Sequence, residues 1–125
     1  MACLLFGGLF QAGAQPIQQI DVTIKDFTFL TTPMPLRRLV PTLIVIRNED
    51  PVRHGFSSDL LQEMFIEVEG ESGIIYGRGI EGLYVEPGKE LAIRLTIERP
   101  GDYAFHCPIH QDMDGEILLI DIESV

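Results

Sequence analysis

Basic residues are scarce in this chain, which has nine Lys and Arg against 19 Asp and Glu and a formal net charge of −10 with neutral His. This charge disfavours nucleic acid and anionic membrane surfaces as partners, because their phosphate groups attract Lys and Arg. It favours partners that carry basic surface patches, with association rates that fall as salt rises. The acidic residues are spread along the chain, so the sequence predicts no particular docking face.

Long hydrophobic runs are missing as well. The uncharged segment 2–14 is too short to cross a bilayer as a helix. It ends in Ala12-Gly13-Ala14, the small-x-small pattern of a signal-peptide cleavage site, although no Lys or Arg stands near its start. We therefore predict a signal peptide over residues 1–14 and an exported mature chain, periplasmic or otherwise extracytoplasmic. A buried N-terminal strand is the alternative.

Cysteine is limited to Cys3 and Cys107. Cleavage after residue 14 would leave Cys107 as the only cysteine and would exclude an intramolecular disulfide. A free thiol in an exported protein oxidises unless it is buried or occupied. Metal ligation is one way of occupying it.

Cys107, His110 and Met113 follow one another at three-residue intervals between two strand-like runs. A soft thiolate, an imidazole and a thioether in one short loop suit copper better than the other common metals. His54, far upstream, can supply the second imidazole of a trigonal His2Cys site with a weak axial Met. Zinc is the alternative metal, since a His2Cys set also binds it, but Met is a poor zinc ligand.

Apolar and polar residues alternate with period two along most of the chain, and no long helical pattern is present. Ile20, Val22 and Ile24 alternate with polar residues, and residues 42–46 read as a strand buried on both faces. Turn signals occur at residues 48–51, 86–89 and 99–102. These features predict an all-β antiparallel sandwich or barrel that forms a single domain.

The last predicted hairpin positions the candidate site. Alternation puts Tyr103, Phe105 and Cys107 on the core face of one strand, and it puts His106 on the outer face. Cys107 therefore enters the interior where its strand ends.

Residues 57–82 carry a weaker signal. Residues 58–64 predict a short helical turn, and residues 65–69 predict a strand. Residues 70–82 contain five glycines and predict an irregular, mobile excursion.

Two motifs resemble those of the cupredoxins, the small blue copper proteins. Residues 100–117 read Pro-Gly-x-Tyr-x-Phe-x-Cys-x-x-His-x-x-Met-x-Gly-x-Ile, and residues 48–56 read Asn-x-Asp-x-x-x-His-x-Phe. Within that family, the ligand-loop spacing is most similar to that of the amicyanins. The resemblance runs from about Leu39 to the C-terminus, except that residues 57–82 match no part of the family pattern.

The resemblance implies a Greek-key β-sandwich over residues 15–125. It also implies one copper ion per chain, cycling between Cu(I) and Cu(II), with His54, Cys107, His110 and Met113 as ligands.

Two positions depart from the family pattern. Many cupredoxins have Asn after the first ligand His, where its side chain ties the ligand loops together, but this chain has Gly55. The backbone N–H of Gly55 can still reach the thiolate. Pro108 follows Cys107 and has no N–H to donate.

By this resemblance, the protein would be a carrier of single electrons between redox partner proteins. The sequence carries no strong dimer signal, so we also expect a monomer. His110 would be the electron exit, and Ile109 would belong to the docking patch. A periplasmic copper chaperone or buffer is the alternative, although Met34 and Met64 do not cluster with Met113 in sequence as a methionine-rich carrier would require.

A further alternative is that the chain is a fragment or relative of a copper oxidase or nitrite reductase domain. The pair His106-Cys107 resembles the His-Cys pair of copper nitrite reductases, in which the neighbouring His holds a second copper. This chain has three histidines in all, and two of them would be used by the first copper. We therefore expect no enzymatic activity.

Overall fold

The computed structural model of the chain describes residues 18–31, 36–70, 73–77, 80–99 and 101–120. The predicted signal peptide, residues 1–14, lies outside the described residues, as does Met34. Over the described ranges the chain forms eleven strands and one short helix. The strands are β1 Gln18–Lys25, β2 Thr28–Thr31, β3 Leu36–Arg37, β4 Pro41–Asn48, β5 His54–Ser58, β6 Ile66–Gly70, β7 Gly73–Gly77, β8 Leu83–Val85, β9 Glu90–Thr96, β10 Gly101–His106 and β11 Asp114–Ile120, and the helix is α1 Asp59–Glu63.

The strands form two sheets. One has the order β2-β1-β4-β9-β6-β7, and the other has the order β3-β11-β10-β5-β8. Strand β1 pairs in parallel with β4, and β3 pairs in parallel with β11. The remaining neighbours pair antiparallel. The architecture confirms the predicted all-β Greek-key sandwich.

Period-two alternation accounts for the core between the sheets. Ile20, Val22 and Ile24 of β1 are buried, as predicted. In β4 the prediction of two buried faces was wrong, because Ile44 and Ile46 are fully buried whereas the residues between them are only partly covered.

The segment 57–82 is more regular than its sequence indicates. The predicted helical turn is α1, in which the Ser58 side chain accepts a hydrogen bond from the Leu60 N–H. The predicted strand is β6. The prediction of an irregular excursion over residues 70–82 was wrong for β7, which pairs antiparallel with β6. Backbone hydrogen bonds to β6 define that strand. Its glycines weaken the alternating apolar pattern by which a strand is recognised in the sequence.

The register of the second sheet brings distant residues together. Phe105 and His106 of β10 pair with Ser58 and Ser57 of β5. Because the two strands are antiparallel, the loop that follows β10 runs back alongside the start of β5, where His54 lies. The prediction for β10 is confirmed, since Phe105 and Cys107 are buried, Tyr103 is partly buried against the core and His106 is exposed.

No helix in the described part of the chain is long and apolar enough to span a bilayer.

Candidate metal centre

Three of the four predicted ligands meet between the start of β5 and the loop after β10. One ligand atom each from His54, Cys107 and His110 lies within 4.8 Å of the other two. The His110 Nδ1 atom is 3.3 Å from the Cys107 Sγ atom and 3.2 Å from the His54 Nδ1 atom. His54 and Cys107 are buried, and His110 is partly exposed. One soft sulfur and two imidazole nitrogens that converge in this way match the donor set of a trigonal copper site.

Met113 closes the same loop. Its backbone carbonyl accepts a hydrogen bond from the Cys107 N–H at 2.9 Å, and its side chain is 3 % exposed. Asp112 adopts the left-handed conformation, with φ of 57°, which Asp tolerates better than most residues. The loop therefore returns the chain to Cys107 within six residues and buries the thioether side chain at its end.

Gly55 replaces the usual Asn for a steric reason that involves Pro108. The Gly55 N–H donates to the Cys107 Sγ atom at 3.2 Å, so the backbone donor to the thiolate is present. A Cβ atom at Gly55 would lie 2.7 Å from the Cδ atom of Pro108 and 3.3 Å from a ring carbon of Tyr84. No larger side chain fits beside the Pro108 ring, so the two departures from the family pattern belong together.

Gly55→Ala is expected to lower the free energy of unfolding by about 1–3 kcal/mol through overpacking. Pro108→Ala removes the colliding ring atoms, so the double variant should regain most of that loss. Urea unfolding of the four proteins in a double-mutant cycle measures the coupling. Strictly additive effects would contradict the proposed collision.

Asp50 is a buried carboxylate that the sequence did not predict as part of the site. Its Oδ2 atom lies 2.7 Å from the His54 Nε2 atom. It also accepts hydrogen bonds from the backbone N–H groups of Asp26 and Phe27 at 2.7 and 2.9 Å. Burial alone would raise the pKa of Asp50, but the hydrogen bonds from Phe27, His54 and Asp26 outweigh it and hold the pKa below its usual value.

An ionised carboxylate only accepts hydrogen bonds, so the proton of neutral His54 lies on Nε2 and the lone pair lies on Nδ1. The Nδ1 atom is the one that faces Cys107 and His110. Asp50 thus presents His54 in the tautomer that a metal requires. Asp50 stands in the Asn-x-Asp-x-x-x-His-x-Phe motif, but the motif itself gave this residue no role.

Arg53 stands beside the candidate ligand His54 in sequence but contacts residues of a different segment. Its guanidinium bonds to the Glu86 carboxylate at 2.8 Å and stacks over the Tyr84 ring at 4.7 Å. Both partners of the ion pair are more than half exposed, so the pair adds little stability. Asp50 already accepts hydrogen bonds from Asp26, Phe27 and His54.

Phe27 is a second residue that sequence reasoning missed. Its ring centroid lies 5.0 Å from that of His54 and 4.8 Å from that of His110, with both imidazoles nearly perpendicular to it. Phe27 is 49 % exposed, so its ring covers the outer side of both histidines. No pattern in the flanking sequence places it there.

The chain matches the family model described as Cupredoxin-like domain over residues 1–119. No curated protein matches it. A multicopper oxidase from Campylobacter jejuni has a similar fold, with a TM-score of 0.56 and 16% identity over 82% of this chain and 29% of its own. A copper-containing nitrite reductase from Thermus scotoductus SA-01 has a TM-score of 0.61 and 12% identity over 90% of this chain and 33% of its own.

This chain therefore spans about a third or less of those two structures. An amicyanin variant is also similar, with a TM-score of 0.47 and 16% identity over 82% of each chain. At these identities the likeness is one of fold.

Proposed function

This chain belongs to the cupredoxin-like domain family, and we propose that it is an electron-transfer protein with one type 1 copper site. The observation that carries the proposal is the convergence of a buried thiol and two imidazole nitrogens within 4.8 Å. We assign His54, Cys107 and His110 as the equatorial ligands and Met113 as the weak axial ligand. Copper bound there supplies a one-electron couple between Cu(I) and Cu(II).

Hydrogen bonds within the chain position two of these donors, His54 and Cys107. His54 is fixed by Asp50, and Cys107 accepts a hydrogen bond from the Gly55 N–H and donates its own backbone N–H to Met113. Ligands that are held from two separate segments change little in position when the charge at the site changes. Such rigidity suits a carrier that must accept and release single electrons.

Electrons would leave through His110. Of the three clustered residues, it is the one that reaches solvent. Exposed apolar side chains stand beside it, with Ile109 at 45 % and Phe27 at 49 % exposure. We expect redox partners to meet this apolar surface, and the net charge of −10 favours partners that surround it with basic residues.

A carrier is favoured over an oxidase or a nitrite reductase. Among the residues that the structure describes, His54, Cys107 and His110 form the one group of three potential metal ligands. His106, which such enzymes would use for a further copper, is exposed on the outer face of β10 and lies outside that group. We therefore propose that this chain has no enzymatic activity of its own. As a separate proposal, residues 15–125 form an exported monomer.

Voltammetry of the copper-loaded protein tests electron transfer against copper handling. We expect a reversible one-electron wave, with copper retained in both oxidation states on gel filtration. The wave should vanish in His54→Gly, which lacks a buried ligand. An irreversible wave, together with rapid loss of copper to a Cu(I) chelator on reduction, would replace the carrier by a copper chaperone or buffer.

A further inference from the structure

The turn between β1 and β2 has an unusual composition. Lys25 pairs with Thr28, so Asp26 and Phe27 form a two-residue hairpin loop. Both have positive φ, at 53° and 57°. Loops of this kind normally use Asn or Asp followed by Gly, so Asp26 is usual and Phe27 is not, because a left-handed conformation costs a bulky residue about 1–2 kcal/mol. A Phe at the second position is therefore maintained by interactions from elsewhere in the molecule.

Asp50 supplies those interactions. Its Oδ1 atom accepts from the Asp26 N–H at 2.7 Å, and its Oδ2 atom accepts from the Phe27 N–H at 2.9 Å. The same Oδ2 atom lies 2.7 Å from the His54 Nε2 atom. A single buried carboxylate thus joins the strained turn to a residue of the candidate metal centre.

The β1–β2 turn also places an aromatic ring beside the candidate metal centre. The Phe27 ring meets the His54 ring at an interplanar angle of 88° and the His110 ring at 84°. The two imidazoles lie 4.8 Å apart between their centroids. Edge-to-face contacts of this kind prefer one orientation, so a fixed Phe27 ring restricts the rotation of both imidazoles.

We propose that the β1–β2 turn is a positioning element of the metal centre, in which Asp50 locks the turn to His54 and the Phe27 ring sets the orientation of both imidazoles. Neither residue is a ligand. The proposal rests on the proposed function only for the identity of the metal, since the contacts that carry it join residues of the chain itself. It makes Phe27 part of the centre although 80 residues or more separate it from Cys107 and His110 in sequence.

The variant Asp50→Asn tests the link between the β1–β2 turn and His54. A carboxylate can accept from all three N–H groups, whereas an amide has one accepting oxygen and an NH2 group that can only donate. At least one of the three donors must then face the NH2 group. Residue 50 then loses either its bond to the Asp26 N–H, at the Oδ1 position, or its bonds to Phe27 and His54, at the Oδ2 position.

Phe27→Gly tests the ring directly, and Leu39→Gly is its matched control. Leu39 also has a positive φ, at 66°, and is 56 % exposed. It precedes β4 at the end remote from Asn48, about 25 Å from the centre by the length of that strand. Glycine relieves backbone strain equally at both sites, so the two variants differ in the loss of the ring at the centre.

Long-range ¹H–¹⁵N spectra of the metal-free proteins report the tautomer and mobility of each imidazole without copper. We expect wild type and Leu39→Gly to show His54 as a single Nε2–H tautomer with sharp signals. Phe27→Gly should broaden the signals of His54 and His110, and Asp50→Asn should give mixed His54 tautomers. Copper affinity should fall by about 10–100-fold in Asp50→Asn, as for other partners of metal-binding imidazoles.

Phe27→Gly keeps the proposal falsifiable if Asp50→Asn fails to fold. Imidazole signals and a copper EPR spectrum identical to those of Leu39→Gly would overturn the positioning role. The spectra also separate this proposal from the proposed function. Altered imidazoles in a metal-free variant of a protein that binds no copper would uphold the positioning role and reject the copper carrier.

Discussion

Replacing His110 by Gly is expected to open the copper centre to solvent and to allow free imidazole to rebuild it. His110 is the partly exposed member of the cluster, so its removal leaves a cavity that a small ligand can enter from outside. Loss of a residue that only hydrogen-bonds to a metal ligand typically lowers metal affinity by about 10–100-fold. Loss of the ligand His110 should lower copper affinity by at least as much. Added imidazole should restore the visible absorption band, because it returns the missing nitrogen donor.

His54→Gly is the matched control for this experiment. The same ring is removed, but His54 is fully buried and the Phe27 ring lies over it. Imidazole should therefore fail to restore the band at concentrations that restore it in His110→Gly. Electron exchange with a basic redox protein should also remain slow in imidazole-restored His110→Gly, since the free ring is not covalently part of the exit path.

Equal rescue of the two variants would contradict the assignment of His110 as the exposed ligand. Electron exchange at the wild-type rate in His110→Gly without imidazole would contradict its role as the exit.

Phe105→Ala is expected to lower the free energy of unfolding by about 3–5 kcal/mol. Phe105 is 1 % exposed, and its ring centroid lies 4.9 Å from Phe29 and 4.8 Å from Phe56. Its ring also packs on Gly115, where an added Cβ would lie 2.6 Å from the ring. Loss of the ring leaves a cavity between the sheets. The neighbouring residues cannot move to fill it, because backbone hydrogen bonds hold them in their strands.

Urea unfolding of the metal-free protein measures this change, which is large against the 5–15 kcal/mol typical of a whole domain. Leu30→Ala is the control, because Leu30 is 52 % exposed on β2 and its loss should change stability by no more than about 0.5 kcal/mol. A Phe105→Ala effect as small as that of Leu30→Ala would show that the aromatic cluster does not hold the sheets together. Phe105 stands two residues before Cys107, so the same variant should also weaken copper binding.

The features predictable from sequence are those with a period or a fixed spacing. Alternation along β10 predicts that Phe105 and Cys107 face inward and that His106 faces outward, as the structure has it. The intervals of the ligand loop predict the meeting of Cys107 and His110. The position of His54 follows from the family resemblance, and its place beside the loop is explained by the pairing of β5 with β10.

The features that sequence analysis missed depend on contacts between remote segments. Asp50 binds the turn that contains Phe27, 23 residues away, and no local pattern indicates such a bond. Strand β7 consists partly of glycines and is defined by its backbone pairing with β6. Gly55 can be explained only when the Pro108 ring is seen beside it.

An optical and EPR titration of the metal-free protein with copper(II), beside Cys107→Ser, tests the central claim most directly. We expect an intense thiolate-to-copper band in the visible range that saturates at one copper per chain, with narrow hyperfine splitting. Both signals should be absent in Cys107→Ser. No such band in the wild type, or a weak signal that survives Cys107→Ser, would contradict a type 1 copper centre formed by His54, Cys107 and His110.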